Sequence, residues 1–165
     1  MSERLPGGSI PYSELLQHRS SLDLLAATPD RIASLVRGWN QDRWFRSYAP
    51  GKWSAAQIVL HLAHDEIGWS GRIRFALTVP GFVPTLWDGA DWVALESPTR
   101  PEVALEAFLT LRRLNLLLYR RLTSDQLHSS IPHPEFGQIS VEWILTLLAG
   151  HDLHHFNHLQ VIAEQ

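Results

Sequence analysis

Apolar residues recur every three or four positions in four segments of this chain, and connections that contain proline and glycine separate the segments. Such spacing places apolar side chains on one face of an α-helix. No segment shows the alternation typical of a half-buried strand, and no internal repeat is present. A length of 165 residues suits one ordinary domain. The sequence therefore predicts an all-α fold, a four-helix bundle that forms a single domain over residues 1–165.

The first predicted helix begins near Tyr12 and ends near Trp39. Within it, Thr28 followed by Pro29 combines a capping residue with a first-turn proline, which predicts a restart or a kink at that point. Ahead of this helix, residues 1–10 contain a proline and two consecutive glycines. We expect them to form a flexible lead-in.

Three further helices have clear start signals. The second begins at a capping box of Ser54 and Gln57, the third opens at Pro101, and the fourth is capped by Ser140. Between the second and third helices lies a long crossover, residues 78–99, without a helical period. Connections of this length in compact domains are usually functional or act as lids. Two aromatic residues of the crossover are candidates to wall a pocket: Trp87 and Trp92.

The chain has 14 basic residues, 17 acidic residues and no cysteine. A net charge of −3 provides no overall basic field for nucleic acid or an anionic membrane. No signal-peptide pattern or membrane-length apolar run is present, so we expect a cytoplasmic protein. The lack of cysteine excludes thiolate metal sites and leaves histidine and carboxylates as ligands. Any thiol used in catalysis would have to come from a small-molecule cofactor.

Four of the nine histidines lie within residues 151–158, on the fourth predicted helix. A helical projection places His151 and His155 on its apolar stripe, His154 well outside it and His158 at its border. A histidine pair at i and i+4 can bind one ion through two imidazole nitrogens. Two imidazoles in a core would otherwise need buried hydrogen-bond partners. The pair is therefore a candidate for two metal ligands.

The second predicted helix carries a polar seam along one edge of its apolar stripe. His61, Asp65, Gly68 and Arg72 follow one another along this seam at intervals of about one turn. His64 projects further round, toward solvent. His61 is the third candidate ligand. Because Gly68 has no side chain, we expect it to leave room for an ion or ligand beside His61 and Asp65.

Charged residues of the same helix are candidates for supporting roles. Asp65 or Glu66 can orient a ligating imidazole or accept a proton, or can simply cap the polar face. Arg72 and Arg74 can bind a substrate carboxylate, although most helical arginines are solvated. We assign no role to three histidines that lie in a helix flank or in connections: His18, His128 and His133.

These motifs together resemble those of one known family. They are, in order, Gly51-Lys52-Trp53-Ser54, Ile58, His61-Leu62-Ala63-His64, Arg72-Ile73, and His151-Asp152-Leu153-His154-His155 with Gln160. The order and spacing are similar to those of the DinB-like superfamily, in its branch of YfiT-type metal-dependent hydrolases. The resemblance runs from about residue 28 to residue 162.

The resemblance implies a four-helix bundle with a long crossover and a divalent metal held by His61, His151 and His155. It also implies a homodimer, and the superfamily includes thiol-dependent S-transferases. Nitrogen ligands suit zinc, nickel, copper or iron, and we favour zinc or nickel. Fold and site follow from family membership more directly than the reaction does.

Three functional hypotheses follow. The first is an enzyme whose metal activates water or a low-molecular-weight thiol for reaction with a small-molecule substrate, with Asp65 or Glu66 as the catalytic carboxylate and Arg72 as a cofactor- or substrate-binding residue. The second is a non-catalytic, dimeric metal-binding or stress-associated protein in which a structural metal links the second and fourth helices. The third is a metal-free bundle whose histidines bond to polar groups in the core.

Overall fold

The computed structural model describes residues 9–165, so residues 1–8 of the predicted lead-in lie outside the described part. A 3-10 turn, Ser13–Leu16, precedes the first helix. The remaining elements, in chain order, are α1 (Ser21–Leu35), α2 (Gln41–Trp44), α3 (Ala55–Thr78), α4 (Gly89–Glu96), α5 (Pro101–Tyr119), α6 (Ser124–Leu127), β1 (Ser130–His133), β2 (Gly137–Ser140) and α7 (Val141–Ala163).

The four long helices α1, α3, α5 and α7 form the predicted bundle. Helix α3 packs against α5 and α7, and α1 packs against the same two helices. The chain crosses from α3 to α5 through the long connection that carries α4. The four-helix bundle with its crossover is therefore confirmed. Across residues 9–165, none of the helices combines the length and the apolar character that crossing a bilayer requires.

Two helix starts have the predicted capping residues. The Ser54 hydroxyl accepts the Gln57 amide N–H, and the Gln57 side chain accepts the Ser54 N–H at 2.9 Å, which completes the capping box. At the start of α7, the Ser140 hydroxyl accepts the N–H of Trp143. These caps fix where the two helices that carry the histidines begin.

The first helix begins later than predicted, and it is not interrupted at its proline. Residues 13–16 form a separate 3-10 turn, and Pro29 lies inside α1 without ending it. A proline removes the N–H that would bond to the carbonyl four residues earlier, here that of Leu25. Arg112 of α5 donates to this Leu25 carbonyl at 3.0 Å. The predicted restart at Thr28 and Pro29 is wrong, since α1 continues through both residues; the alternative, a kink at that point, stays a prediction. The carbonyl that the proline leaves unpaired is satisfied from another helix.

Two connections contain more structure than the sequence predicted. Asp88 caps α4 within the crossover. Strands β1 and β2 form an antiparallel hairpin that pairs Ile131 with Ile139, and both of these residues are buried. The expectation of no strand was wrong because the hairpin is short and contains prolines, which hide its alternation. Its turn begins after His133 and places that residue against the bundle.

Buried apolar residues form two clusters, separated along each long helix by polar side chains. On α3, Ile58 belongs to one cluster and Ile73 to the other; on α5, the corresponding residues are Phe108 and Leu116. The buried polar residues between them include Glu66, Asp65, Arg112, Asn115, Asp152 and His155. The bundle therefore has a polar layer in its middle.

Arg112 is the centre of this layer and is 1% exposed. Its guanidinium donates to Glu66 of α3 at 2.7 and 2.9 Å and to Asp152 of α7 at 2.6 and 3.1 Å. Asn115 also donates to the Glu66 carboxylate, at 2.8 Å. With the Leu25 carbonyl of α1, this network joins all four long helices. Every buried charge in it has an oppositely charged partner.

We expect Arg112→Met to lower the free energy of unfolding by about 3–5 kcal/mol, because it leaves two buried carboxylates without a cation. Urea unfolding followed by circular dichroism measures the change. The matched control is Arg113→Met, since Arg113 is the exposed neighbour on the same helix. Equal losses in the two variants would contradict the central role of Arg112.

Candidate metal centre

Three histidines from two helices converge beside the polar layer. The Nε2 atom of His151 lies 3.3 Å from Nε2 of His61 and 3.0 Å from Nε2 of His155. One nitrogen from each of the three imidazoles lies within 4.8 Å of the others. Residues 9–165 contain no other group of histidines and carboxylates with this geometry. The capped helices α3 and α7 thus bring together the three residues that the sequence selected.

Asp65 orients one of the three imidazoles. Its Oδ2 atom lies 2.9 Å from Nδ1 of His151 and 3.5 Å from Nε2 of His61. A carboxylate at Nδ1 places the ring proton there and leaves the Nε2 lone pair directed at the other two histidines. Carboxylate–histidine pairs of this kind are typical of metal ligands. Asp65 occupies the supporting position that the sequence suggested for it.

The residues present fit a divalent cation. Two nitrogens bound to one tetrahedral ion at about 2.0–2.1 Å lie roughly 3.3 Å from each other, close to the spacing observed here. Among residues 9–165, the buried Nδ1 atoms of His61 and His155 have no hydrogen-bond partner, so neither ring is held in the core through Nδ1. Three neutral nitrogens form a donor set that suits zinc, nickel, copper or iron.

The protonation of the three rings also suits metal binding. Burial lowers the pKa of His61 to about 4, and it lowers the pKa of His155 well below its ordinary value. Burial acts in the same direction on His151, but the charge and hydrogen bond of Asp65 outweigh it and raise the pKa of His151. Two of the three imidazoles are therefore neutral at pH 7, which is the form that binds metal.

A cavity of about 270 Å³ lies beside the histidines. His61, Asp65 and His151 line one part of it, and Arg72 lines another. Much of the remaining wall is apolar or aromatic and includes Tyr12, Trp69, Leu86, Trp87, Phe136 and Leu148. A mostly apolar cavity with a few polar groups is the usual form of a small-molecule site.

The family model of the DinB superfamily matches residues 24–159 of this chain. The chain belongs to the DinB superfamily. The matched residues include all four long helices in large part and all three converging histidines. The resemblance found in the sequence motifs is confirmed.

Relatives of this DinB-superfamily chain carry names that refer to metal-dependent hydrolysis. Two from Oceanobacillus iheyensis are named "Putative metal-dependent hydrolase", OB0413 and OB0782. The first is 27% identical over 80% of this chain and 77% of the relative. The second is 24% identical over 100% of this chain and 98% of the relative.

Two solved structures have a similar fold. YfiT from Bacillus subtilis, described as having an unusual four-helix bundle topology, aligns with a TM-score of 0.81 at 24% identity and covers 99% of this chain and 94% of YfiT. The four-helix bundle protein TT2238 aligns with a TM-score of 0.59 at 22% identity, over 85% of this chain and 95% of TT2238. At these identities the likeness shows the four-helix bundle fold alone.

Two glycines permit close packing around the site of this DinB-superfamily protein. A Cβ atom at Gly89 would lie 2.5 Å from Cε1 of His61, so the start of α4 packs directly on that ring. A Cβ atom at Gly68 would lie 2.7 Å from the Trp87 indole. The expectation that Gly68 leaves room for an ion or ligand is therefore wrong, because an aromatic side chain of the crossover fills the space.

Several polar residues lie elsewhere than the sequence suggested. The Glu66 carboxylate bonds to Arg112 and Asn115 in the polar layer, so it is not placed as a partner of the ligands. The prediction that His64 projects toward solvent is wrong, since the residue is 3% exposed and its ring packs on Trp92. Its Nε2 atom lies 3.2 Å from a Glu96 carboxylate oxygen but is not aligned for a hydrogen bond. Two further residues received no role from the sequence, yet they line the cavity: Tyr12 and His133.

We expect His61→Ala and His151→Ala to bind little metal, whereas the wild-type chain binds close to one ion per chain, because each variant removes one of three nitrogen ligands. Elemental analysis of untagged protein by mass spectrometry measures the content. His128→Ala is the control, since His128 is exposed and distant in the chain from both helical sites. Unchanged metal content in the first two variants would remove the site assignment.

We expect Asp65→Asn to weaken metal binding by about 10- to 100-fold, because the carboxylate that orients His151 loses its charge. Competition with a chromophoric chelator measures the dissociation constant. Asp30→Asn, on the exposed face of α1, serves as the control. An unaltered dissociation constant for Asp65→Asn would show that the carboxylate does not support the ligand.

Proposed function

We propose that this chain is a metal-dependent hydrolase that acts on a small molecule bound in the cavity beside the histidines. The observation that carries the proposal is that His61 and His151, two of the three candidate ligands, line that cavity. Three neutral protein ligands with access to a cavity are typical of catalytic metal sites, which keep one position for water or substrate. The names of the O. iheyensis relatives support the same class of activity.

His61, His151 and His155 would hold the divalent cation, for which we favour zinc or nickel. When bound, such an ion supplies a Lewis acid that lowers the pKa of water or of a thiol. Asp65 keeps the proton of His151 on Nδ1 and lines the cavity. In the proposed reaction its carboxylate would accept a proton from the nucleophile as well as orient the ligand.

Two features of the chain favour substrate binding over a purely structural metal. Asp65 bonds to the outer nitrogen of His151 rather than completing a fourth protein ligand, and the three-histidine group includes neither Asp65 nor His158. Aromatic residues of the crossover and the hairpin, Trp87 and Phe136, form part of the cavity wall and offer apolar surface to a substrate. A structural metal would instead be expected to have a closed shell of four protein ligands.

A thiol-dependent S-transferase is the second candidate for the same site. The chain contains no cysteine, so the thiol would come from a low-molecular-weight cofactor that occupies the position of water. The residues that hold the ion and the proton would be the same in the two reactions. Assembly as a homodimer remains a prediction from the family resemblance.

We expect the cobalt-substituted protein to change its visible absorption spectrum when azide or a small thiol is added, because an accessible coordination position allows exchange. The metal-loaded protein should also hydrolyse members of a panel of chromogenic esters and amides, or transfer a thiol to an aromatic chloride. Treatment with a chelator should reduce turnover by at least about 100-fold, and zinc or nickel should restore it.

His151→Ala and His128→Ala provide the matched pair for this experiment. The first should abolish both the spectral change and the turnover, and the second should leave both intact. A cobalt spectrum that azide and thiol do not alter, together with no metal-dependent turnover, would favour the structural metal and overturn the proposal.

A further inference from the structure

Arg72 is a buried cation without a carboxylate partner. Its side chain lines the cavity, and the residue is 7% exposed. One guanidinium nitrogen donates to the Thr85 carbonyl at 2.5 Å, and the group lies 4.5 Å from the centre of the Trp69 ring. Within residues 9–165, Arg72 forms no ion pair, in contrast to Arg112, which has two carboxylates. The charges of Asp65 and Glu135 act on Arg72 from further away, but no carboxylate of the described residues forms with it the direct ion pair that is usual for a buried charge.

His133 is a buried hydrogen-bond donor without an acceptor in the same part of the molecule. Its Nδ1 atom accepts the backbone N–H groups of Glu135 and Phe136 at 3.2 and 3.3 Å. In the neutral ring, the proton must therefore lie on Nε2. The Nε2 atom is buried and has no hydrogen-bond partner among the described residues. His133 as a whole is 4% exposed and lines the cavity.

The ring of His133 is also held in a fixed orientation. It stacks between Trp69 and Phe136, with ring centres 5.8 and 4.9 Å away. Burial and the charge of Arg72 lower the pKa of His133 to about 4, so the ring is a neutral donor at pH 7. A buried donor that is held rigidly needs an acceptor, which a ligand or a water molecule in the cavity would supply.

We infer that Arg72 and His133 form an anion subsite that binds the carboxylate of a small, partly aromatic or apolar substrate in the cavity. The planar guanidinium and the Nε2–H of His133 offer donors to the two carboxylate oxygens. The tryptophan and phenylalanine rings of the wall would contact the apolar part of the molecule. Neither Arg72 nor His133 belongs to the candidate metal centre.

The charges around the cavity favour a carboxylate over a phosphate. Among the described residues that line the cavity, Arg72 is the only arginine or lysine. Two carboxylates, those of Asp65 and Glu135, line the same cavity. Asp65 is paired with His151, and Glu135 is exposed at the hairpin turn. A carboxylate adds one negative charge beside these two acidic residues, whereas a phosphate dianion adds about two, so the repulsion is smaller for a carboxylate. A volume of about 270 Å³ also limits the substrate to a small molecule.

This inference deepens the proposed function, since it names the substrate class of the cavity assigned to the hydrolase. The subsite itself, however, is made of residues outside the metal ligands. Binding of a carboxylate can therefore be measured in the metal-free protein, where it does not depend on turnover or on coordination to the metal.

The experiment is an isothermal titration calorimetry measurement, in which benzoate is titrated into metal-free and zinc-loaded protein and the dissociation constant is determined. Benzamide, the neutral analogue, and inorganic phosphate are titrated in parallel. We expect benzoate to bind both forms of the protein at least tenfold more tightly than either comparison compound. Arg72→Gln should weaken benzoate binding at least tenfold, and His133→Phe, which keeps a stacked ring but removes the donor, should weaken it severalfold.

Matched controls are Arg74→Gln, on the same helix outside the cavity, and His128→Gln, an exposed histidine of the same connection. Both should bind benzoate as the wild type does. Circular dichroism and metal content verify that each variant folds, and Arg72→Lys tests the charge if Arg72→Gln does not fold. Equal binding of benzoate and benzamide, tighter binding of phosphate, binding that requires zinc, or equal losses in Arg72→Gln and Arg74→Gln would each overturn the subsite.

If carboxylate binding is retained but no metal-dependent turnover is found, the subsite stands and the hydrolase proposal fails. If turnover is found but benzoate binding does not depend on Arg72, the hydrolase proposal stands and the subsite is overturned.

Discussion

The paired charges around Arg112 are the interaction on which the rest of this bundle depends. One guanidinium contacts α3 through Glu66, α7 through Asp152 and α1 through the Leu25 carbonyl. Because bidentate bonds of this kind have strict geometry, they fix how the four helices are aligned along their axes as well as how closely they pack. An apolar core alone tolerates small sliding of one helix past another. A charged layer between two apolar clusters does not, since any shift would separate buried charges.

The candidate metal centre uses this alignment directly. Glu66 immediately follows Asp65, and Asp152 immediately follows His151, so the two residues that Arg112 joins are the neighbours of the two that form the Asp65–His151 hydrogen bond. A ligand set must hold its nitrogens to within a fraction of an ångström. We interpret the polar layer as the support that provides this precision. Replacing a buried ionic network with apolar residues often preserves stability, so its value here lies in the register of α3 against α7.

The sequence predicted the parts of the site that depend on one helix at a time. The polar seam of α3 and the i, i+4 spacing of His151 and His155 are local patterns, and they sufficed to select the three histidines that converge in the structure. Contacts between helices were harder to predict from the sequence. Arg112 and Asn115 follow Phe108 by four and seven residues and thus share its buried face. The apolar Leu114 between them is exposed, so hydrophobicity alone does not identify that face. The burial of His133 was not predictable, because it depends on a short hairpin whose prolines obscure the strand pattern.

The cavity has two chemically different ends, and helix α3 sets the distance between them. Asp65, beside the histidines, and Arg72 are seven residues apart on the same helix, which corresponds to about 10 Å along its axis. If the anion subsite holds one end of a substrate, the bond nearest the histidines is determined by the length of the molecule. A shorter acid held at Arg72 would then not reach the histidines. The separation of Asp65 and Arg72 along α3 would therefore set the length of the preferred substrate. Selectivity among substrates would depend on the distance between the carboxylate and the bond to be broken, rather than on contacts at the reacting atoms.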